Sequence, residues 1–431
     1  MNANMHMLYT SALWQLQNTL TCLELFFASC NTEISLSSLL FYCPNIEKLV
    51  FSARSATLAS LIGDLELMGG SHRALVDLDL DTGIATGEAL EAILKRCPKL
   101  RRLSVFGCEP SVLDVIHEGR CCPDLVIFGY SPSFEIVQLN ELEDESVGPG
   151  LRALYTPNGG TGAPADKLLP LLKKHAKTLQ RVYANMEEES QDYDNNPSLF
   201  EEPLGFERLM KLTYWPEEHI ETLFLRSLGS SLGSVTFFSP TCSSNIPAFT
   251  DVMLKLTSLQ DMEIARASSE EGEDHAASQL VQMCKTYAAL PESQQTMRML
   301  RFWYCSCLND DVLSAMTELK TLTTIELAGE SRVTTQGLVR FFKRMNKAAT
   351  VKKVCLQDID AVDDCVLNAI ASMSHLETLE MDDMSTVTDI GLQDVIDSVK
   401  TLRNLKLEGC DTFSEEALLY ARSKIKHFEK C

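Results

Sequence analysis

Apolar residues recur along this chain in a six-residue frame, apolar-x-x-apolar-x-apolar, separated by stretches with a different rhythm. CPKLRRLSVF (97–106) shows the frame at Leu100, Leu103 and Val105, and LRNLKLEGC (402–410) shows it at Leu402, Leu405 and Leu407. The last two apolar positions stand two apart, so in an extended strand they share one face. The frame begins at Leu20-Leu23-Leu25 and passes through Ile46-Leu49-Phe51, Leu75-Leu78-Leu80, Leu125-Phe128-Tyr130, Leu151-Leu154-Thr156, Leu179-Val182-Ala184 and Leu209-Leu212-Tyr214. It continues as Leu232-Val235-Phe237, Leu259-Met262-Ile264, Met297-Leu300-Phe302, Leu322-Ile325-Leu327, Val351-Val354-Leu356 and Leu376-Leu379-Met381. Between frames, GEALEAILKRC (87–97), GLVRFFKRM (337–345) and GLQDVIDSV (391–399) carry apolar residues at three- and four-residue spacing, the rhythm of an amphipathic helix. Thr334, Thr388 and Ser414 stand just before such stretches, where a side-chain oxygen can cap backbone N–H groups.

About fifteen such units at a spacing of roughly 25 to 30 residues match the period of a leucine-rich repeat. One unit of strand, turn and helix cannot bury its own leucines. Stacked units can, with parallel strands on a concave side and helices on a convex side. The expected fold class is therefore α/β, a leucine-rich-repeat solenoid of the ribonuclease-inhibitor-like horseshoe kind. Residues 1–19 read as a partial repeat or an N-terminal capping helix, and residues 20–431 as one continuous solenoid. Three acidic stretches interrupt the period: NELEDESVGPG (140–150), MEEESQDYDNNPSLFEEP (186–203) and ARASSEEGEDHAAS (265–278). They read as solvated insertions or, alternatively, as a flap that contacts a basic partner. Ser268 and Ser269, beside EEGED, suit an acid-directed kinase.

Composition narrows the partners. The 431 residues carry a formal charge of −22, which repels nucleic acid and anionic membrane and favours basic proteins or solubility. No strongly basic stripe marks a nucleic-acid footprint. No apolar run approaches the roughly 20 residues that span a bilayer, and MNANMHMLYTSALWQLQ at the start has no charged-then-apolar leader pattern. Fifteen cysteines, an odd number spread along the chain, read as reduced thiols of a cytoplasmic or nuclear protein.

Those cysteines fall in repeat register. Cys43, Cys97 and Cys122 precede proline where a helix ends, and Cys108, Cys305 and Cys410 follow the last apolar strand position by three. Buried thiols at such places act as small hydrophobes. The zinc alternative, Cys305 and Cys307 with Cys121 and Cys122, has no second C-x-x-C pair to complete four ligands. GSSLG (229–233) places Ser231 in the letters of a nucleophile elbow. However, the helical stretch HIETLFLRSL precedes the serine and a frame follows it, the reverse of the order an elbow needs. The expectation is no enzyme, no catalytic residue, no metal and no cofactor.

Residues that alternate with the buried positions of each strand face the concave side. They include Arg102 and Phe106, Tyr155, Arg181 and Tyr183, Lys211 and Trp215, Phe238, and Arg301 with Trp303. Arginine and aromatic side chains dominate binding hot spots, so these residues are the candidate partner-binding face. Acidic positions flank them at Asp77, Asp79 and Asp81 and at Glu380 and Asp382.

VTDIGLQDVIDSVKTLRNLKLEGC (387–410) and CPKLRRLSVFGC (97–108) resemble the cysteine-containing repeats of the F-box/leucine-rich-repeat family, and the loose spacing is similar to fungal members. The resemblance implies repeats that hold a protein substrate for an SCF ubiquitin ligase. No F-box is visible here, so it implies binding of the SCF adaptor only if an F-box lies upstream. The leading expectation is a monomeric protein-recognition scaffold for a protein client. The alternative is a free-standing acidic adaptor or inhibitor of a basic partner. A Ran GTPase-activating type shares the architecture, but its arginine- or asparagine-bearing loop is not identifiable.

Overall fold

The structure, a computed structural model, describes residues 15, 18–27, 35–62, 70–131, 142, 149–156, 162–187, 203–216, 228, 237–240, 256, 258–265, 273–329, 332–348 and 350–430. The chain divides into two compact units. One comprises residues 1–220 with 227–231, and the other 221–226 with 232–431.

In the first unit the apolar frames become parallel strands β1 (Cys22–Phe26), β2 (Lys48–Thr57), β3 (Asp77–Ala85), β4 (Arg102–Cys108), β5 (Ile127–Tyr130) and β6 (Ala153–Tyr155), then, after the two-residue strand β7 (Ala163–Pro164) that no frame marks, β8 (Arg181–Glu187) and β9 (Lys211–Pro216). The middle apolar position of every frame falls in one row: Leu23, Leu49, Leu78, Leu103, Phe128, Leu154, Val182 and Leu212 are register partners. Between strands lie α1 (Leu36–Tyr42), α2 (Leu58–Ile62), α3 (Gly87–Leu94), α4 (Ser111–Glu118) and α5 (Ala165–His175). Leu78, Leu80, Leu103 and Leu90 are fully buried. Each such side chain contributes on the order of 1.5–3 kcal/mol through its removal from water.

The second unit repeats the plan with β10 (Phe237–Pro240), β11 (Asp261–Ala265), β12 (Met299–Trp303), β13 (Thr324–Ala328), β14 (Lys353–Gln357), β15 (Thr378–Asp382), β16 (Asn404–Glu408) and β17 (His427–Lys430). Its helices are α6 (Glu273–Ala288), α7 (Asp310–Met316), α8 (Thr335–Ala348), α9 (Asp364–Ala371), α10 (Asp389–Ser398) and α11 (Glu415–Lys424). The middle row runs Phe238, Met262, Leu300, Ile325, Val354, Leu379, Leu405 and Phe428. Each unit is thus an α/β leucine-rich-repeat stack.

Three expectations change. The frame Leu232-Val235-Phe237 expects Phe237 in the apolar row, whereas the register of β10 pairs Phe237 with Asp261 and Phe238 with Met262. LGSVTFF contains both apolar spacings, and only the neighbouring strand chooses between them. Phe238 thus stands in the register row of Met262. A further strand, β17, continues the stack through Phe428, and its frame was masked because Lys430 stands at the third position. The acidic stretch 265–278 is not wholly an insertion. Its second half is the first turns of α6, where Ala276, Ala277 and Leu280 are buried.

All three expected caps form: Thr334 Oγ1 accepts from Gly337 N, Thr388 Oγ1 from Ile390 N, and Ser414 Oγ from Ala417 N. At the strand-to-helix corner the backbone repeatedly turns left-handed, at Gly107, Ser131, Tyr304, Gly329, Asp358, Asp383 and Gly409. Gly329 is required there twice over, by its φ of 80° and by the Tyr304 ring, which occupies the space a Cβ would need. No helix among the described residues is long and apolar enough to cross a membrane.

Candidate functional site

The helices occupy one face of each sheet, so alternate strand residues emerge on the other, the open face. In the second unit this face is a ladder of charge. Arg301 Nη1 donates to Glu263 Oε2 at 2.5 Å, and its Nε donates to Glu326. Lys353 Nζ lies 3.4 Å from Glu326 Oε1 and 2.9 Å from Glu380 Oε1. Burial pulls the Arg301 and Lys353 pKa values down, but the hydrogen bonds and charges of the flanking glutamates outweigh it, leaving both raised. Arg301 is therefore locked between carboxylates of its two neighbouring strands, and its guanidinium lies over the Trp303 ring, 5.8 Å from the centroid. Trp303 is half-buried, and its indole N–H is buried without a hydrogen-bond partner among the described residues.

Carboxylates outnumber cations on this face. Asp261, Glu263, Glu326, Glu380, Asp382 and Glu408 stand against Arg301, Lys353 and Lys406. The excess concentrates toward β15 and β16, where burial and then the nearby Asp383 and Glu408 raise the Asp382 pKa. Cys355, facing out between Glu326 and Glu380, is pushed up to about 12, first by burial and then by those two charges. It is a neutral thiol at physiological pH.

The first unit distributes the other candidates. Arg102 is only 5% exposed, and its Nη1 donates to Asp77 Oδ1 at 2.5 Å, so its charge ties two repeats together. Phe106 is half-buried beside Asp81 in register. Tyr155 is buried and stacks on half-buried Tyr183, with ring centroids 5.1 Å apart. Arg181 and Lys211 are half-buried register partners on β8 and β9. The side chains of Trp215 and Phe238 lie outside the described residues, as do Ser231, the HIETLFLRSL stretch except Leu228, Ser268, Ser269 and most of the acidic stretches. Tyr155, Arg181, Tyr183 and Lys211 lie on the consecutive strands β6, β8 and β9, Arg102 stands apart on β4, and Arg301 and Trp303 sit side by side in the other unit.

Sequence reasoning missed the ladder's glutamates Glu263 and Glu326, although both occupy the same frame position as Arg301 and an alignment of frames exposes them. It also missed Leu142, buried at 3% within the acidic stretch 140–150. That stretch breaks the period, so nothing in the pattern marks its leucine.

The thiols fit a packing role. Cys122 Sγ donates to Cys97 O at 3.3 Å, Cys305 Sγ to Ile264 O at 3.1 Å, and Cys410 Sγ to Met381 O at 3.6 Å. Burial pushes Cys97, Cys108, Cys122 and Cys284 up to about 12, so they are protonated and poor nucleophiles or metal ligands at neutral pH.

No protein-family profile matches the chain, and no curated protein does either. Among solved structures it is similar to a chain in the crystal structure of the Rad7 and Elc1 complex in yeast, with 12% identity, a TM-score of 0.47, and coverage of 82% of this chain and 74% of that one. It is also similar to a chain of the TLR13–ssRNA13 complex, with 12% identity, a TM-score of 0.40 and coverage of 85% of this chain. The chain spans about half (53%) of that second chain.

Proposed function

We propose that this chain is a non-enzymatic protein-recognition scaffold that holds a protein client on its open sheet face, as the substrate-binding part of an SCF-type ligase receptor does. The observation that carries the reading is the division of labour between the two faces of the repeats. Leucines and protonated thiols fill the helix side. The open face of β11–β16 carries the half-buried Trp303 under the Arg301 guanidinium, beside a carboxylate-rich ladder. Such a face offers area and a field to a macromolecule. Attachment to a ligase rests on the resemblance of the cysteine-containing repeats to the F-box/leucine-rich-repeat family. The carboxylate excess favours a second reading, a free-standing adaptor for a basic protein.

The test is affinity capture with the wild-type chain and with Asp382→Lys/Glu408→Lys, two half-buried open-face positions outside the packed core. A client recovered by the wild type is expected to fall at least about tenfold with the double variant. Cullin and SCF adaptor in the same eluate support the ligase reading, and a basic client without them supports the adaptor reading. Equal recovery of every protein by both chains removes the open face of this unit as the binding surface.

A further inference from the structure

Cations gather where β16 and β17 begin. Lys400 and Arg403 lie in the loop between α10 and β16, Lys426 precedes β17, and Arg422 and Lys424 stand in the last turn of α11. All five are exposed. Contacts join them into one patch. Lys400 Nζ donates to Asp397 O, the Asp397 carboxylate accepts the Tyr420 hydroxyl at 2.5 Å, and Lys424 Nζ lies 5.5 Å from the centroid of the Tyr420 ring. The Arg403 carbonyl accepts the backbone N–H of His427, beside Lys426, and the Arg422 guanidinium lies 5.8 Å from the centroid of the Phe428 ring. The two rings orient Arg422 and Lys424 without cancelling their charge. Of the carboxylates nearby, Glu377 is held by Lys352 at 3.0 Å and Asp397 by Tyr420. None of the five cations forms an ion pair among the described residues.

The helix macrodipole accounts for cations in the last turn of α11, but Arg403 and Lys426 lie outside the helices, in the loops that start the strands. The opposite ends of these strands are acidic. The corners after β14, β15 and β16 hold Asp358, Asp360, Asp383 and Asp411 and no cation. Five-residue strands set those corners about 17 Å from the patch, roughly two screening lengths at physiological salt. A ligand at the patch therefore meets cations, although the chain as a whole carries −22. The patch is also small, since β16 and β17 are neighbours about 4.8 Å apart. A nucleic-acid strand is charged along its whole length and needs a longer basic track. A short run of aspartates and glutamates matches both the extent and the sign of the patch. We propose that the patch on α11, β16 and β17 is a docking site for an acidic segment of a partner protein. The site lies apart from the open-face ladder, and the proposal goes beyond the recognition reading above without depending on it.

The experiment follows the fluorescence anisotropy of a labelled decapeptide of alternating aspartate and glutamate, titrated with the full chain at about 0.05 M salt. The wild type should bind, and Lys400→Glu/Arg403→Glu/Lys426→Glu should weaken binding at least about tenfold. A second variant, Arg422→Gln/Lys424→Gln, should weaken it as well and decides the matter if the triple variant does not fold. Asp382→Lys/Glu408→Lys, on the open face, should bind the peptide at least as tightly as the wild type. No binding by the wild type, equal binding by the wild type and the patch variants, or a loss confined to Asp382→Lys/Glu408→Lys each overturns the proposal. Tighter binding of a single-stranded DNA oligonucleotide of equal charge, lost in the same patch variants, overturns it in favour of a phosphate ligand. Client capture through the open face is read in a different variant, so either reading can fail while the other stands.

Discussion

His175, at the end of α5, accepts the backbone N–H of Leu151 through Nδ1 at 3.2 Å. Protonation would turn that acceptor into a donor facing another donor. Burial, followed by the nearby charges of Lys174 and His117, accordingly lowers its pKa to about 4. The unfolded chain takes up this proton near pH 6.5, so between about pH 6.5 and 4 the unfolded state binds more protons and stability falls with falling pH. Above that window the contribution is fully present. The expected loss is about 1–3 kcal/mol from this one group. Urea unfolding of wild type and His175→Gln across that range checks it, since the variant should lose part of the slope, and identical slopes would refute the assignment. Sequence could not reveal this histidine, because its partner N–H comes from the preceding repeat. The cysteines were legible for the opposite reason, since their position within each repeat already implied a buried corner.

Adjacent repeats are clamped by a recurring element. Asp310 accepts from Thr334 N at 2.8 Å and Thr334 Oγ1 at 2.7 Å, and Asp364 accepts from Thr388 N at 2.8 Å and Thr388 Oγ1 at 2.6 Å. Asp389 accepts from Ser414 N at 2.9 Å. Each aspartate opens one helix and holds the N-cap of the next. Gly337 and Gly391 lie beneath the carboxylates of Asp310 and Asp364, where a Cβ would collide with them. In an exposed helix Gly→Ala stabilises by about 1 kcal/mol. Here the sign should reverse, with Gly391→Ala costing about 1–2 kcal/mol through overpacking. Asp364→Ala should cost about 1–2 kcal/mol by stranding the Thr388 donors. The double variant should lose less than the sum, because removing the carboxylate makes room for the methyl. Denaturant midpoints decide this, and a stabilised Gly391→Ala sinks the clamp. The caps and glycines, as in T-x-x-G at 334–337 and 388–391, were visible in the sequence. The aspartates were not, because their contacts are made one repeat away. The same locality explains the frames. Apolar spacing fixed the strands wherever one frame was possible, and it was off by one at β10, where Phe238 and not Phe237 pairs with Met262.

At the scale of the whole molecule, net charge was a poor guide to the individual faces. A chain at −22 suggests a uniformly acidic binder, yet Arg181 and Lys211 share a row on the first unit while carboxylates prevail on β11–β16 of the second. Alternation along the strands identified which residues emerge on the open face. It could not show that Arg102 and Arg301 are neutralised by neighbours, because each pair forms between strands about 25 residues or more apart in sequence. Among the described residues the open face of β11–β16 carries more carboxylates than cations, so a client held there would be drawn partly by long-range attraction. That attraction is screened over about 10 Å at 0.1 M salt. Affinity should therefore weaken on the order of tenfold between 0.05 and 0.5 M salt, chiefly through slower association. Surface-binding kinetics across that range, with the wild type and with Asp382→Lys/Glu408→Lys, separate the causes. The double variant should show a shallower dependence, whereas a client whose association rate ignores salt is held by contacts other than this ladder.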